Sequence, residues 1–240
     1  MSNKLLKVSN LTVEFFKKVA LEDITLELPP GVHAILGPNS SGKSTLLKAI
    51  ASLIPIKKGE VIYDGISISK LPPKKRAQIV GYCWQNPYQG FFEDSVKREI
   101  EFILKNTNAK ASEEVLEILG VNKLYEKNPF RLSGGEARRV SIASIVVADQ
   151  PIILLDEPFN DMDLDGYLSI VNLLSFFRKR NKTVIIALNN SMHLNLVKPD
   201  DVFVIYSGRI VEKTTLRELN DDVLEKYNIV TRKLILESAC

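Results

Sequence analysis

The chain has 240 residues, 45% of them hydrophobic and 25% charged, with a formal net charge of +3. This is the composition of a globular chain with a sizeable core. It is not that of a disordered or membrane-spanning chain, because the longest apolar runs, IASIVVA before Asp149 and PIILL before Asp156, fall far short of the ~20 residues a bilayer crossing needs. So small a net charge gives no reason to expect nucleic acid as a partner.

The opening residues, MSNKLLKVSNLTVEFF, hold none of the continuous apolar core of a secretory signal. Cys83 and Cys240 have no metal-ligand spacing, which suits a reducing compartment, and the cytoplasm is the expected location. Alternation in LTVEF and DITLEL predicts edge strands within the first 36 residues, and VHAIL predicts a buried one. A glycine-rich turn, GPNSSGKS, then runs into STLLKAIASLI, whose apolar residues recur at helical spacing.

From about residue 72 to 148 the pattern predicts a mostly helical insertion, with helices over 94–104, 112–119 and 135–148. Strand patterns return at IILL (152–155), TVIIAL (183–188) and VFVIY (202–206), separated by helical stretches such as 167–177. Short apolar strands alternating with helices imply an α/β fold with a parallel sheet covered on both faces. One domain over residues 1–240 is expected: a core from 1–71 and 149–213, the insertion at 72–148, and a tail at 214–240 whose helices pack on the sheet edge.

Three motifs carry chemistry. Gly37-Pro38-Asn39-Ser40-Ser41-Gly42-Lys43-Ser44 fits the phosphate-loop pattern in the context it needs, between a strand and a helix. Its glycines let backbone N–H groups face phosphate oxygens, the helix N-terminus adds positive potential, Lys43 would pair with β and γ phosphates, and Ser44 would ligate Mg²⁺. Second, the buried run Ile152–Leu155 ends in Asp156 and Glu157, and in an open α/β sheet such strand ends border the functional crevice. Asp156 suits a Mg²⁺ partner and Glu157 a general base that polarises water. Third, Ser133-Gly134-Gly135-Glu136 opens an amphipathic helix as an anion site without a lysine to complete it; an ordinary helix cap is the plainer alternative.

With GPNSSGKST (Gly37 to Thr45) resembling Walker A, LSGGE the signature motif and IILLDEP Walker B, residues 4–213 resemble the nucleotide-binding subunits of ATP-binding cassette (ABC) transporters. The resemblance implies a P-loop NTPase core with parallel strands, an N-terminal antiparallel β element and a helical insertion carrying the signature. It further implies an ATP- and Mg²⁺-dependent motor on the cytoplasmic face of the membrane, bound to transmembrane subunits. A second ATP-binding subunit would dimerise with it head to tail, each ATP lying between Walker A of one and LSGGE of the other. Phe15 stands where the family has an adenine-stacking aromatic, an ordinary strand phenylalanine being the alternative; Gln85 resembles the Q-loop glutamine that reaches Mg²⁺, and Asp163 the D-loop aspartate. The small residues that usually precede that aspartate are replaced by Asn160, Asp161 and Met162.

The same resemblance aligns Asn189 with the family's switch histidine, which touches the γ-phosphate; His193, four residues on, does not stand in for it. Asparagine is shorter and cannot ionise near neutral pH, so ATP is expected to bind normally while hydrolysis is slow. QNPYQGFFEDSVKREIEFIL resembles the membrane-facing run of energy-coupling-factor and cobalt or nickel importer ATPases, with Gln89 displaced against Gly90. Phe91 and Phe92 could instead fill the insertion's core. A regulatory subunit with vestigial hydrolysis, a transporter ATPase of another substrate class and a soluble repair or translation protein are the alternatives; the last usually carries a long coiled coil or two cassettes.

Overall fold

The computed structural model describes residues 4–231 and residue 234; Cys240 lies outside the described residues. The chain divides into two compact units, one holding the described residues up to Lys70 and from Thr183 onward, the other Leu71–Lys182.

The first unit begins with a hairpin of β1 (Leu6–Phe15) and β2 (Lys18–Leu28). Leu6, Val8, Leu11 and Val13 on β1 and Leu21, Ile24, Leu26 and Leu28 on β2 are buried, which is the period-two pattern of a sheet covered on one face. Next come β3 (Gly31–Leu36), α1 (Lys43–Ile50), β4 (Lys58–Tyr63) and β5 (Ile66–Ser67). β4 pairs antiparallel with β1 and β5 with β4, giving a four-stranded antiparallel sheet in the order β2-β1-β4-β5.

The second unit contains α2 (Pro73–Ile79), β6 (Val80–Cys83), α3 (Val96–Thr107), α4 (Glu113–Ile118), α5 (Gly134–Val146), β7 (Ile152–Asp156) and α6 (Leu164–Lys179). β6 and β7 pair in parallel and every residue of both is buried. α5 packs against β6 and α3, and α4 against α6. The helix expected from Asp94 starts at Val96 because Ser95 is its N-cap, accepting from the Arg98 amide at 3.4 Å.

The chain then returns to the first unit through β8 (Thr183–Leu188), α7 (Leu194–Val197), β9 (Asp201–Tyr206), β10 (Arg209–Thr214) and α8 (Asp221–Lys226). β8 and β9 flank β3 in parallel, and β10 runs antiparallel to β9. The α/β class, the parallel strands and the antiparallel N-terminal sheet are as expected. Of the tail expected to be helical, the described residues hold α8, a parallel bridge between Asn190 and Val230, and a helical Leu234; residues 232, 233 and 235–240 lie outside the described residues. Among the described residues no helix is long and apolar enough to cross a membrane.

Candidate functional site

In the first unit the loop from Gly37 to Gly42 joins β3 to α1. The chain itself demands its glycines. A Cβ on Gly37 would meet the Ile205 carbonyl at 2.3 Å, and Gly42, the N-cap of α1, has φ 112°, a left-handed value that penalises any side chain. No side chain caps α1 and its first turn holds no acidic residue, so its leading N–H groups keep their positive potential for an incoming anion. Lys43 is buried, and its Nζ donates back to the carbonyls of Gly37 at 2.8 Å and Pro38 at 3.0 Å. The Ser41 hydroxyl is buried without a hydrogen-bond partner, a cost of about 1 to 3 kcal/mol that a phosphate oxygen would relieve.

Asn189 lies beside this loop. It follows β8, whose last residue, Leu188, accepts from the Gly37 amide at 3.2 Å. The Asn189 Oδ1 accepts from Asn190 Nδ2 at 2.8 Å, and both asparagines line a recess of about 290 Å³ with Pro38, Asn39, Met192, Asn228 and Val230. His193 is the N-cap of α7, where burial lowers its pKa.

The second unit assembles the acidic residues. Asp156 ends β7 and its Oδ2 accepts from the Tyr82 hydroxyl at 2.9 Å; burial, then the Asp156 charge, pushes the Tyr82 pKa far up and keeps that proton on oxygen. Glu157 is buried and takes φ 47°, an uncommon backbone for a non-glycine residue. Its Oε2 accepts from Gln85 Nε2 at 3.1 Å and from Asn160 Nδ2 at 3.0 Å. The Gln85 side is steadied by Arg138, buried on α5, whose Nη1 donates to the Trp84 carbonyl at 2.8 Å; burial lowers the Arg138 pKa while Asp161, Asp156 and Glu157 oppose that shift. Cys83 beside Trp84 is buried, its thiol pushed up to about 12 by burial.

Ser133 and Glu136 form a capping box at the start of α5. The Lys127 ammonium, which donates to Glu136 Oε1 at 2.8 Å, and the Ser133 amide hold the Glu136 carboxyl below its usual range. Gly134 and Gly135 differ from the phosphate-loop glycines: a Cβ on either would meet nothing nearer than 3.4 Å. Asp163 is the N-cap of α6, accepting from the Gly166 amide at 2.9 Å, with Arg139 of α5 at 3.7 Å.

The family model described as ABC transporter matches residues 21–160. An ABC transporter ATP-binding protein of Pyrococcus furiosus is 35% identical, over 91% of this chain and 86% of that one. The chain belongs to the ABC transporter ATP-binding family. An energy-coupling factor transporter ATP-binding protein of Clostridium acetobutylicum is 30% identical over 95% of this chain and 86% of that one. Among solved structures, an ATP-binding cassette captured as a dimer in a post-hydrolysis state with ADP and Pi superposes with a TM-score of 0.78 at 25% identity, covering 89% of this chain and all of that one.

Several features of this ABC chain were not read from its sequence. The two-residue turn after Phe15 has positive φ at both Phe16 and Lys17, leaving Phe15 partly exposed and Phe16 fully exposed at the hairpin tip. Phe91 and Phe92 part ways: Phe91 is buried, its ring meeting Tyr88 and Phe130, whereas Phe92 is 72% exposed and lies beside the exposed Phe102. Glu99 of α3, almost fully buried, holds this loop by accepting from the amides of Phe92 and Glu93, and burial raises its pKa.

A raised carboxyl pKa contributes stability that is complete below the unfolded value and lost as pH rises through the folded one, so the fold gains less from Glu99 as pH rises. Glu99→Gln keeps an acceptor for both amides and removes the charge. Its thermal midpoint at pH 7 is expected to equal or exceed that of the natural chain, whereas Glu99→Leu, which orphans both amides, is expected to lose about 1 to 3 kcal/mol in thermal or denaturant unfolding.

Proposed function

We propose that this chain is the ATP-binding and ATP-hydrolysing subunit of a membrane transporter, working at the cytoplasmic face, and specifically of an importer of a vitamin or a transition metal ion. The observation that carries the reading is the loop from Gly37 to Gly42, which leads into an uncapped helix N-terminus and is close-packed at Gly37, with Lys43 and the orphaned Ser41 hydroxyl beside it. The similarity to an energy-coupling factor ATPase along nearly the whole chain supports the importer class.

In this reading Pro38, Asn39, Ser40 and Thr45 complete the phosphate cradle, Lys43 exchanges backbone carbonyls for the β and γ phosphates, and Phe15 stacks on adenine. Ser44, Gln85 and Asp156 are the proposed ligands of Mg²⁺, because hydroxyl, amide and carboxylate oxygens are donors that suit a hard cation. The bound ion supplies charge neutralisation on the transferring phosphoryl group. Glu157 accepts a proton from the attacking water, and Asn189 gives the γ-phosphate a weaker contact than histidine would.

The second subunit is proposed from the glycines of α5. Gly134 and Gly135 open a helix where glycine costs up to about 1 kcal/mol against alanine, yet nothing within the chain crowds either position. The need for a bare backbone therefore lies outside the chain, at the close approach of a nucleotide held by a partner. Gly135→Ala is expected to keep or slightly raise the thermal midpoint and to weaken ATP-dependent dimerisation in sedimentation experiments; a variant that dimerises as well as the natural chain would remove this support.

Transmembrane subunits are proposed to dock on exposed aromatic side chains of this unit, the paired Phe92 and Phe102 together with Tyr88 and Phe130. A second reading, the slow or regulatory member of a mixed pair, is favoured by Asn189. Affinity purification of the tagged full chain from native membranes tests both: recovery of a polytopic protein with a distinct ATP-binding chain is expected. Recovery of the chain with soluble partners alone would overturn the transport reading.

A further inference from the structure

Asn160 occupies a position where the family resemblance leads one to expect a small residue, and its amide is engaged. Nδ2 lies 3.0 Å from Glu157 Oε2, the same oxygen that accepts from Gln85 at 3.1 Å. An ionised carboxylate only accepts, so both amides must present their nitrogens to it. The turn bearing Asn160 is anchored on both sides: Phe159 is buried with its ring stacked on Tyr167 at 5.2 Å, and Asp163 caps α6. The backbone of the turn closes on Glu157 as well, the Asn160 amide donating to the Glu157 carbonyl at 3.4 Å.

The two holds on Glu157 are not equivalent. Gln85 sits on an exposed loop and, in the proposed function, its Oε1 has a second task as a Mg²⁺ ligand while Nε2 reaches the carboxylate. Asn160 has a shorter side chain on a turn tied to the same strand end, so it holds Oε2 through fewer rotatable bonds than Gln85. We propose that Asn160 is a positioning residue for Glu157. It holds Oε2 from a turn tied to the same strand end and so fixes the carboxylate rotamer from which Glu157 meets the water. This rests on the reading of Glu157 as the general base.

The test is a double-mutant cycle in the full-length protein, measured by single-turnover ATP hydrolysis and by ATP titration. Asn160→Asp is isosteric and replaces the donor with a repelling acceptor. It is expected to lower kcat about tenfold, a fraction of the 10²- to 10⁴-fold that a general base supplies, with KM for ATP nearly unchanged. In a Glu157→Gln background the same substitution is expected to have no further effect on the residual rate. Equal losses in the two backgrounds, or a change in KM alone, would overturn the assignment of Asn160 by showing a merely structural role. Natural turnover retained by Glu157→Gln would instead strike the general-base reading beneath it. Should Asn160→Asp fail to fold, Asn160→Ala, which deletes the donor without adding charge, carries the same comparison.

Discussion

Asn189→His is expected to hydrolyse ATP on the order of 10² to 10³ times faster than the natural chain, because one preorganised transition-state contact is typically worth about 2.7 to 4 kcal/mol. The position is already placed for it. Leu188 is tied to the phosphate loop through the Gly37 amide, so the next side chain emerges beside Pro38 and Asn39. The recess of about 290 Å³ at Asn189 gives the larger imidazole room without displacing core residues. The substitution does give up the 2.8 Å bond from Asn190, but Asn190 keeps its contact to the Met192 amide and its bridge to Val230. ATP affinity is expected to change little, since in the proposed site Lys43, the loop amides and Ser41 would carry the phosphates. Phosphate release measured beside equilibrium nucleotide binding checks both halves; equal turnover in the two proteins would mean that Asn189 is no handicap.

What could be read from sequence was what is local or buried on both faces. GVHAIL, IILLD, TVIIAL and DVFVIY are apolar runs because both faces of those strands are covered, and such runs announce themselves. β4, KGEVIY, is exposed over its first three residues, and β10, RIVEKT, has no buried residue; their strand character comes from pairing with β1 and β9 rather than from their own pattern. The Phe16–Lys17 turn carries none of the glycine or asparagine that mark tight hairpins.

The motifs were legible because a phosphate loop is a contiguous stretch whose glycines are required by its own backbone, as the close approach of Ile205 to Gly37 demonstrates. The Arg138 bond to the Trp84 carbonyl and the Gln85 bond to Glu157 join residues far apart in the chain, and no spacing encodes them. Asn160 shows the boundary sharply: its oddity was visible in the sequence, but its hold on Glu157 lies in a turn with left-handed backbone at Glu157 and Asp161 that no pattern predicts.

Glu157→Gln is expected to slow hydrolysis by about 10² to 10⁴-fold, the range a general base contributes, while ATP binding and ATP-dependent dimerisation persist. The substitution is nearly isosteric, and glutamine's carbonyl oxygen still accepts from Gln85 and Asn160, so the turn should keep its shape. What disappears is the capacity to take a proton from water. The decisive version combines it with the histidine gain. If Glu157 is the base and position 189 only stabilises charge on the γ-phosphate, the two act on one transition state and their effects are not additive: Asn189→His should recover little when Glu157 is glutamine. A full histidine gain in the Glu157→Gln background would mean that position 189 acts independently of Glu157, and would overturn the coupling expected here.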